Sequence, residues 1–236
     1  VLQVFAKNRE VAIVQPKILS LEEKNKFEYA GAAGGFLDAL GYPYCRGRLF
    51  DHIEEDEKQY ETIENVDWAS GAAMVVRTEI FKRLGGFDKD FFAHMEEIDF
   101  CTRVRAAGYK IEVVPDSVVY HLGGGTLDYG NPKKIYLNFR NSLYTIFKNE
   151  SGSQLLWHIP FRLILDGVAA LKFLFEGNLK GIGAILNAHF SFYGSIGKLR
   201  KKKKEIKKII GKYKIGAPTP NSQHSFSIVW DYFVRK

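Results

Sequence analysis

Four short apolar runs stand between capped helical stretches over the first 150 residues, and this alternation restricts the fold more than any other feature of the chain. Val11-Ala12-Ile13-Val14, closed by Gln15-Pro16, reads as a buried parallel strand. Ala72 to Val76 reads as a second buried strand, with Thr78 as N-cap of a helix over Glu79 to Leu84 that Gly85-Gly86 stops. A further helix is expected to begin near Glu96 and end at Gly108. Strands follow at Lys110–Val114 and Ser117–Tyr120, parted by Pro115-Asp116. Asn131-Pro132 supplies a cap and a first-turn proline for a helix reaching about Lys148. Strands mixed with helices predict an α/β layer and exclude a bundle or a sandwich.

The hydrophobic share of 46%, with 14% aromatics, is ample for a packed core and excludes general disorder. Cys45 and Cys101 form neither a disulfide framework nor a CxxC metal site, which fits a reducing compartment. The net charge of +7 is local. Residues 198–214 carry ten Lys or Arg against Glu205 alone, leaving 24 basic and 26 acidic residues elsewhere. A nucleic-acid reader would spread positive charge over the fold or interleave aromatics with it, and the run 198–212 has no aromatic residue, so no nucleic-acid partner is expected.

From about residue 153 the texture changes. Leu155 to Glu176 is apolar apart from His158, Arg162, Asp166, Lys172 and Glu176, which fall within roughly 120° of one helical face at about 100° per residue. This predicts a helix lying in a membrane interface rather than spanning it. The rival reading is a helix packed on the domain with its polar stripe in water. Residues 151–215 are accordingly expected to form an amphipathic, basic tail that meets an anionic membrane surface, with 216–236 as a C-terminal extension.

The stretch from Trp68 to Gly125 carries the chemistry. It holds Trp68-Ala69-Ser70-Gly71-Ala72, Gly85-Gly86-Phe87-Asp88, Phe91-Phe92, Glu96-Glu97-Ile98-Asp99 with Arg103, Gly108-Tyr109, and Tyr120-His121-Leu122 followed by three glycines. That order and spacing resembles the C-terminal, acceptor-side part of the GT-A domain in family 2 inverting glycosyltransferases, especially the bacterial rhamnosyltransferase-like branch. The resemblance extends more loosely over 11–150, and it implies a partial GT-A-like mixed sheet with flanking helices over 1–150, plus the C-terminal amphipathic helices.

Inverting sugar transfer needs a base for the acceptor hydroxyl and charge stabilisation on the departing diphosphate, usually from a divalent metal such as Mg or Mn. By resemblance the base is the second acid of the pair, Glu97, with Glu96 orienting the site. The family more often has Asp at that position. Complementing the helix macrodipole is the alternative for both acids. Trp68, Ser70, Gly71, Asp99 and Arg103 fall in the implied substrate-binding set. Asp99 and Arg103 also have the i, i+4 spacing of an intrahelical ion pair, and Trp68 is either a sugar-stacking or a core aromatic. His121 is the implied metal ligand, a structural histidine being its alternative, and Gly123-Gly124-Gly125 reads as an active-site loop. Asp88-Lys89-Asp90 has the letters of a metal-binding Asp-x-Asp but lies inside the Gly-Gly-Phe-Asp segment and is set aside.

The family's nucleotide-binding first half has no counterpart, so the chain is expected to start about one helix downstream of the true Asp-x-Asp and to be inactive alone. The implied partners are a nucleotide-sugar donor and a glycan or polyprenyl-linked acceptor, at the cytoplasmic face of the cell membrane. A non-catalytic peripheral membrane module that retains a remnant of the fold is the rival reading.

Overall fold

A computed structural model describes residues 1–123, 131–220 and 227–233. The elements, in chain order, begin with α1 (Leu2–Lys7), β1 (Val11–Ser20), β2 (Gly35–Leu37), β3 (Pro43–Cys45), β4 (Arg48–Leu49) and β5 (His52–Ile53). They continue with β6 (Glu64–Asn65), β7 (Val75–Val76), α2 (Thr78–Arg83), α3 (Glu96–Ala106) and β8 (Lys110–His121). Four helices close the chain: α4 (Pro132–Asn149), α5 (Gly152–Phe175), α6 (Leu179–Tyr213) and α7 (Ile228–Phe233).

The chain divides into two compact units. One comprises Val1–Phe87, Phe100–Gly123 and Ile209–Lys236; the other comprises Asp88–Asp99 and Gly124–Lys208. Each takes residues from distant parts of the chain, so the division interleaves the sequence.

The first unit holds a mixed sheet in the order β6-β8-β1-β7 and an antiparallel meander, β2-β3-β4-β5. β1 and β8 run parallel, and Val11 to Val14 are fully buried, as a central strand covered on both faces requires. Pro16 lies inside this strand, where proline is rarely tolerated. The register explains it: the partner of Pro16 is Val114 and that of Lys17 is Val118, so Pro115 to Ser117 bulge out opposite the proline. Pro115-Asp116 therefore interrupts the pairing without parting two strands, and Lys110–His121 is one strand.

The expected strand at Ala72–Val76 shrinks to Val75–Val76, an exposed edge pairing antiparallel to β1. Residues before it are instead drawn into a turn in which Ala73 N–H donates to Ser70 O at 3.1 Å. Thr78 does not cap α2: it is the first helical residue, and the cap position is Arg77, which makes no side-chain cap bond. The Arg77 guanidinium instead donates to the carbonyls of Val11, Phe5 and Asn8. Gly108 has the expected role, sitting past the end of α3 at φ +87 while Tyr109 N–H returns to Val104 O at 3.2 Å.

The second unit is built on α4, α5 and α6. Asn131 caps α4 by accepting from Lys133 N–H, and Ser151 with Gln154 forms a capping box at the start of α5. Ile135, Ala184 and Ile185 form the centre of their packing, joined by Ala169, Ala170 and Phe173 of α5.

Candidate active site

Glu96 and Glu97 are the first two residues of α3. The segment that delivers them is conformationally costly, because Phe92, His94 and Met95 all have positive φ, at 66°, 66° and 71°. Asn141, fully buried on α4, holds it: its Nδ2 donates to the carbonyls of Phe91 (3.0 Å), Ala93 (2.8 Å) and His94 (2.8 Å). Arg140 adds bonds from Nη2 to the carbonyls of Asp90 and Phe91, each 3.0 Å. A helix side chain thus satisfies backbone acceptors of this left-handed segment.

The pair itself is electrostatically tense. Burial of the Glu97 carboxyl, reinforced by the charge of Glu96 beside it, pushes its pKa up to about 7, against backbone N–H groups at the helix start. The residue keeps part of its surface accessible, but its Oε2 is sealed from solvent. Among the described residues no hydrogen-bond partner stands against Oε2 of Glu97, Oε2 of Glu96 or Nε2 of His94. Burial and the Lys134 charge lower the pKa of His94, against the pull of Glu96, which favours the neutral ring. Three unmatched polar atoms within four residues, one on a carboxylate that gains a proton near neutrality, suit proton transfer to or from a bound hydroxyl.

One turn on, Asp99 is fully buried and pairs with Lys148 of α4 at 3.0 Å, while Asn149 Nδ2 donates to it at 2.9 Å. Lys148 also reaches Asp88 at 2.7 Å. Burial raises the Asp88 pKa, but Lys148 and Lys202 outweigh it and hold the carboxyl well below the usual range. Asp90 pairs with Lys198 at 2.7 Å and with Lys202. Asp88-Lys89-Asp90 is thus saturated by lysines, a structural role.

In the other unit, Ser70 is buried and Gly71 exposed at the turn before β7. Gln15, fully buried on β1, accepts from Ser70 N–H at 2.7 Å and donates to Gly31 O at 3.1 Å, so the central strand sets this turn. Trp68 lies in the core, not at a surface where a sugar could stack. Its ring covers Gly35, and its Nε1 donates to Phe36 O at 2.9 Å. Arg103 is buried and donates to the carbonyls of Leu84 and Gly86, closing the end of α2.

His121 ends β8, partly exposed, with Nδ1 3.5 Å from Oε1 of the buried Glu28, a contact short of a hydrogen bond. An imidazole nitrogen without a donor or acceptor partner beside a carboxylate suits a cation, and these two residues would hold it. Among the described residues no cluster of three or more His, Cys, Asp or Glu could complete a metal site, so further ligands would have to come from elsewhere. Gly124 and Gly125, part of the expected active-site loop, lie outside the described residues.

Residues 1–141 match the family model described as "Glycosyltransferase like family 2". The chain belongs to that family. An N-acetylglucosaminyl-diphospho-decaprenol L-rhamnosyltransferase of Mycobacterium tuberculosis is 29% identical over 139 residues, covering 59% of this family 2 chain and 44% of the relative. The rhamnosyltransferase WbbL of Escherichia coli is 44% identical over 50 residues, 21% of this chain and 19% of the relative. The low-salt glycan biosynthesis hexosyltransferase Agl10 of Haloferax volcanii is 24% identical over 84% of this chain and 62% of its own length. The chain therefore spans less than half of the mycobacterial relative. Among solved structures, GalNAc-T7 with UDP, GalNAc and Mn2+ is similar at a TM-score of 0.40 and 15% identity, over 61% of this chain and 27% of that one.

The sequence reading of this family 2 chain missed Asn141, Arg140, Lys148, Gln15 and Glu28. The first three sit on a helix whose own pattern explains them as ordinary polar positions. Their partners are backbone carbonyls and acids some 50 to 60 residues away, which no local spacing reveals.

Proposed function

We propose that the protein acts as an inverting glycosyltransferase, passing a sugar from a nucleotide-diphosphate donor to a glycan acceptor carried on a lipid, at the cytoplasmic face of a membrane, in cell-surface polysaccharide synthesis. The observation that carries the reading is the Glu97 carboxyl at the start of α3, with a pKa near 7 and an unmatched oxygen. In that state it accepts the proton of the acceptor hydroxyl as the hydroxyl oxygen attacks the anomeric carbon and the diphosphate departs. Glu96 keeps the proton affinity of Glu97 high, and Asn141 with Arg140 fixes the segment that bears both. A divalent metal, when bound, supplies positive charge against the departing diphosphate, and His121 with Glu28 would hold it on this chain. The names of the mycobacterial and Escherichia coli relatives favour an activated rhamnose as donor.

The test is turnover by the natural full-length protein with a panel of nucleotide-sugars. Glu97→Gln is expected to remove about 10²–10⁴-fold of kcat with donor affinity nearly unchanged. Glu96→Gln should cost less. Loss of activity confined to Glu96→Gln would move the base to the other acid.

A further inference from the structure

α5 is amphipathic in the reverse of the usual sense. His158, Arg162 and Asp166 face the protein, while Lys172 near the helix end is exposed: Asp166 is fully buried, accepting from Arg162 Nε at 2.7 Å and pairing with His189 of α6 at 3.0 Å. Arg162 also donates to Ser142 of α4, and His158 pairs with Glu150 at 2.8 Å. The opposite face is apolar and exposed, through Leu156, Ile164, Val168, Leu171, Leu174 and Phe175, the first and last at 80% and 88%. On α6 the exposed apolar residues Leu179, Leu186, Phe190 and Tyr193 share one face at about 100° per residue. Exposed Arg200, Lys201, Lys204 and Lys208 continue that face within about 50° of its centre.

In water such a surface is unfavourable at every one of these side chains, and a helix placed only for packing would turn the other way. Among the described residues no helix is long and apolar enough to cross a membrane. We propose that the outward faces of α5 and α6 seat on a bilayer leaflet, with the apolar side chains in the acyl boundary and the basic end of the α6 face among anionic headgroups. The basic run alone is not the contact, since Lys198 and Lys202 pair with Asp88 and Asp90, and Lys203 donates to the Phe147 and Glu150 carbonyls. The surface deepens the reading of a lipid-linked acceptor and rests on it for its purpose, because that acceptor would be met at the same leaflet.

Cosedimentation of the full chain with vesicles tests this without any sugar-transfer assay, so either reading can fail alone. The chain is expected to bind phosphatidylcholine vesicles, to bind more tightly when phosphatidylglycerol is added, and to keep most of the neutral-lipid binding in high salt. Ile164→Glu with Val168→Glu, two exposed positions, should keep the circular dichroism spectrum and weaken partition about a hundredfold. Leu156→Ser with Phe175→Ser serves if that variant misfolds, and should weaken partition in the same direction. Lys201→Gln with Lys204→Gln and Lys208→Gln should remove only the phosphatidylglycerol gain. Vesicle binding unaffected by the apolar variants would overturn the proposal. So would a wild-type dimer by light scattering that ignores vesicles and becomes monomeric in the Ile164→Glu, Val168→Glu variant.

Discussion

Arg140 Nε donates to Asn141 Oδ1 at 2.9 Å, and that contact determines which end of the Asn141 amide faces the segment bearing Glu96 and Glu97. With its oxygen engaged by a cation, the amide must present Nδ2 to the carbonyls of Phe91, Ala93 and His94. Asn141→Ala takes this donor from the carbonyls of Ala93 and His94, while Phe91 keeps Arg140, at a cost of about 2–3 kcal/mol in urea unfolding. It should also depress kcat more than KM, because the displaced residues carry the proposed base.

Glu97 sets a pH dependence with a definite sign. Its folded pKa, about 7, lies above the ordinary glutamate value, so the folded state holds the extra proton between the two. The stability this contributes is present below the unfolded pKa and lost as pH rises through about 7, at most about 3 kcal/mol in all. Unfolding free energy should therefore fall from pH 4.5 to 7.5, and Glu97→Gln should flatten that slope. If Glu97 is the base proposed above, turnover should rise over the upper part of the same interval as it ionises.

Lys148 joins two acids, at 2.7 Å from Asp88 and 3.0 Å from Asp99. Lys148→Met keeps the stem and takes the cation from the fully buried Asp99, which keeps Asn149, while Asp88 keeps Lys202, so a loss of about 3–5 kcal/mol is expected in chemical denaturation. Asp88 has a depressed folded pKa, and its contribution is present above the unfolded value and lost as pH falls through the folded one. The variant should accordingly show a weaker dependence of stability on pH below 4.

Gly35 lies under the Trp68 ring, where an added Cβ would come within 2.2 Å of Cε2. Gly35→Ala must push a buried indole off its bond to Phe36, and a loss of about 1–3 kcal/mol with a red-shifted Trp68 emission is expected.

The parts of the fold that local chemistry governs were readable in the chain. Val11–Val14 is buried because it is apolar without interruption, Asn131-Pro132 starts α4, and Gly108 ends α3. Pro115-Asp116 misled because a bulge opposite Pro16 absorbs both prolines, and that accommodation exists only once β1 and β8 are paired. Ala72–Val76 misled because apolar content alone marks strands, whereas Gln15 draws the start of this segment into a turn. The place of the acid pair at the start of α3 was legible from the chain. Its proton affinity was not, since that depends on how deeply the carboxyl is sealed.

The orientation of α5 was the least legible of all, and it bears on how this helix can be studied. Its polar stripe is held inward by Ser142 on α4 and His189 on α6, partners that a peptide of residues 152–175 would not have. Freed from them, the same segment would rotate Arg162 and Asp166 toward water and hide the face it now displays. A synthetic α5 would thus report the preferences of the wrong side, and only the intact helical unit can reveal what that surface recognises.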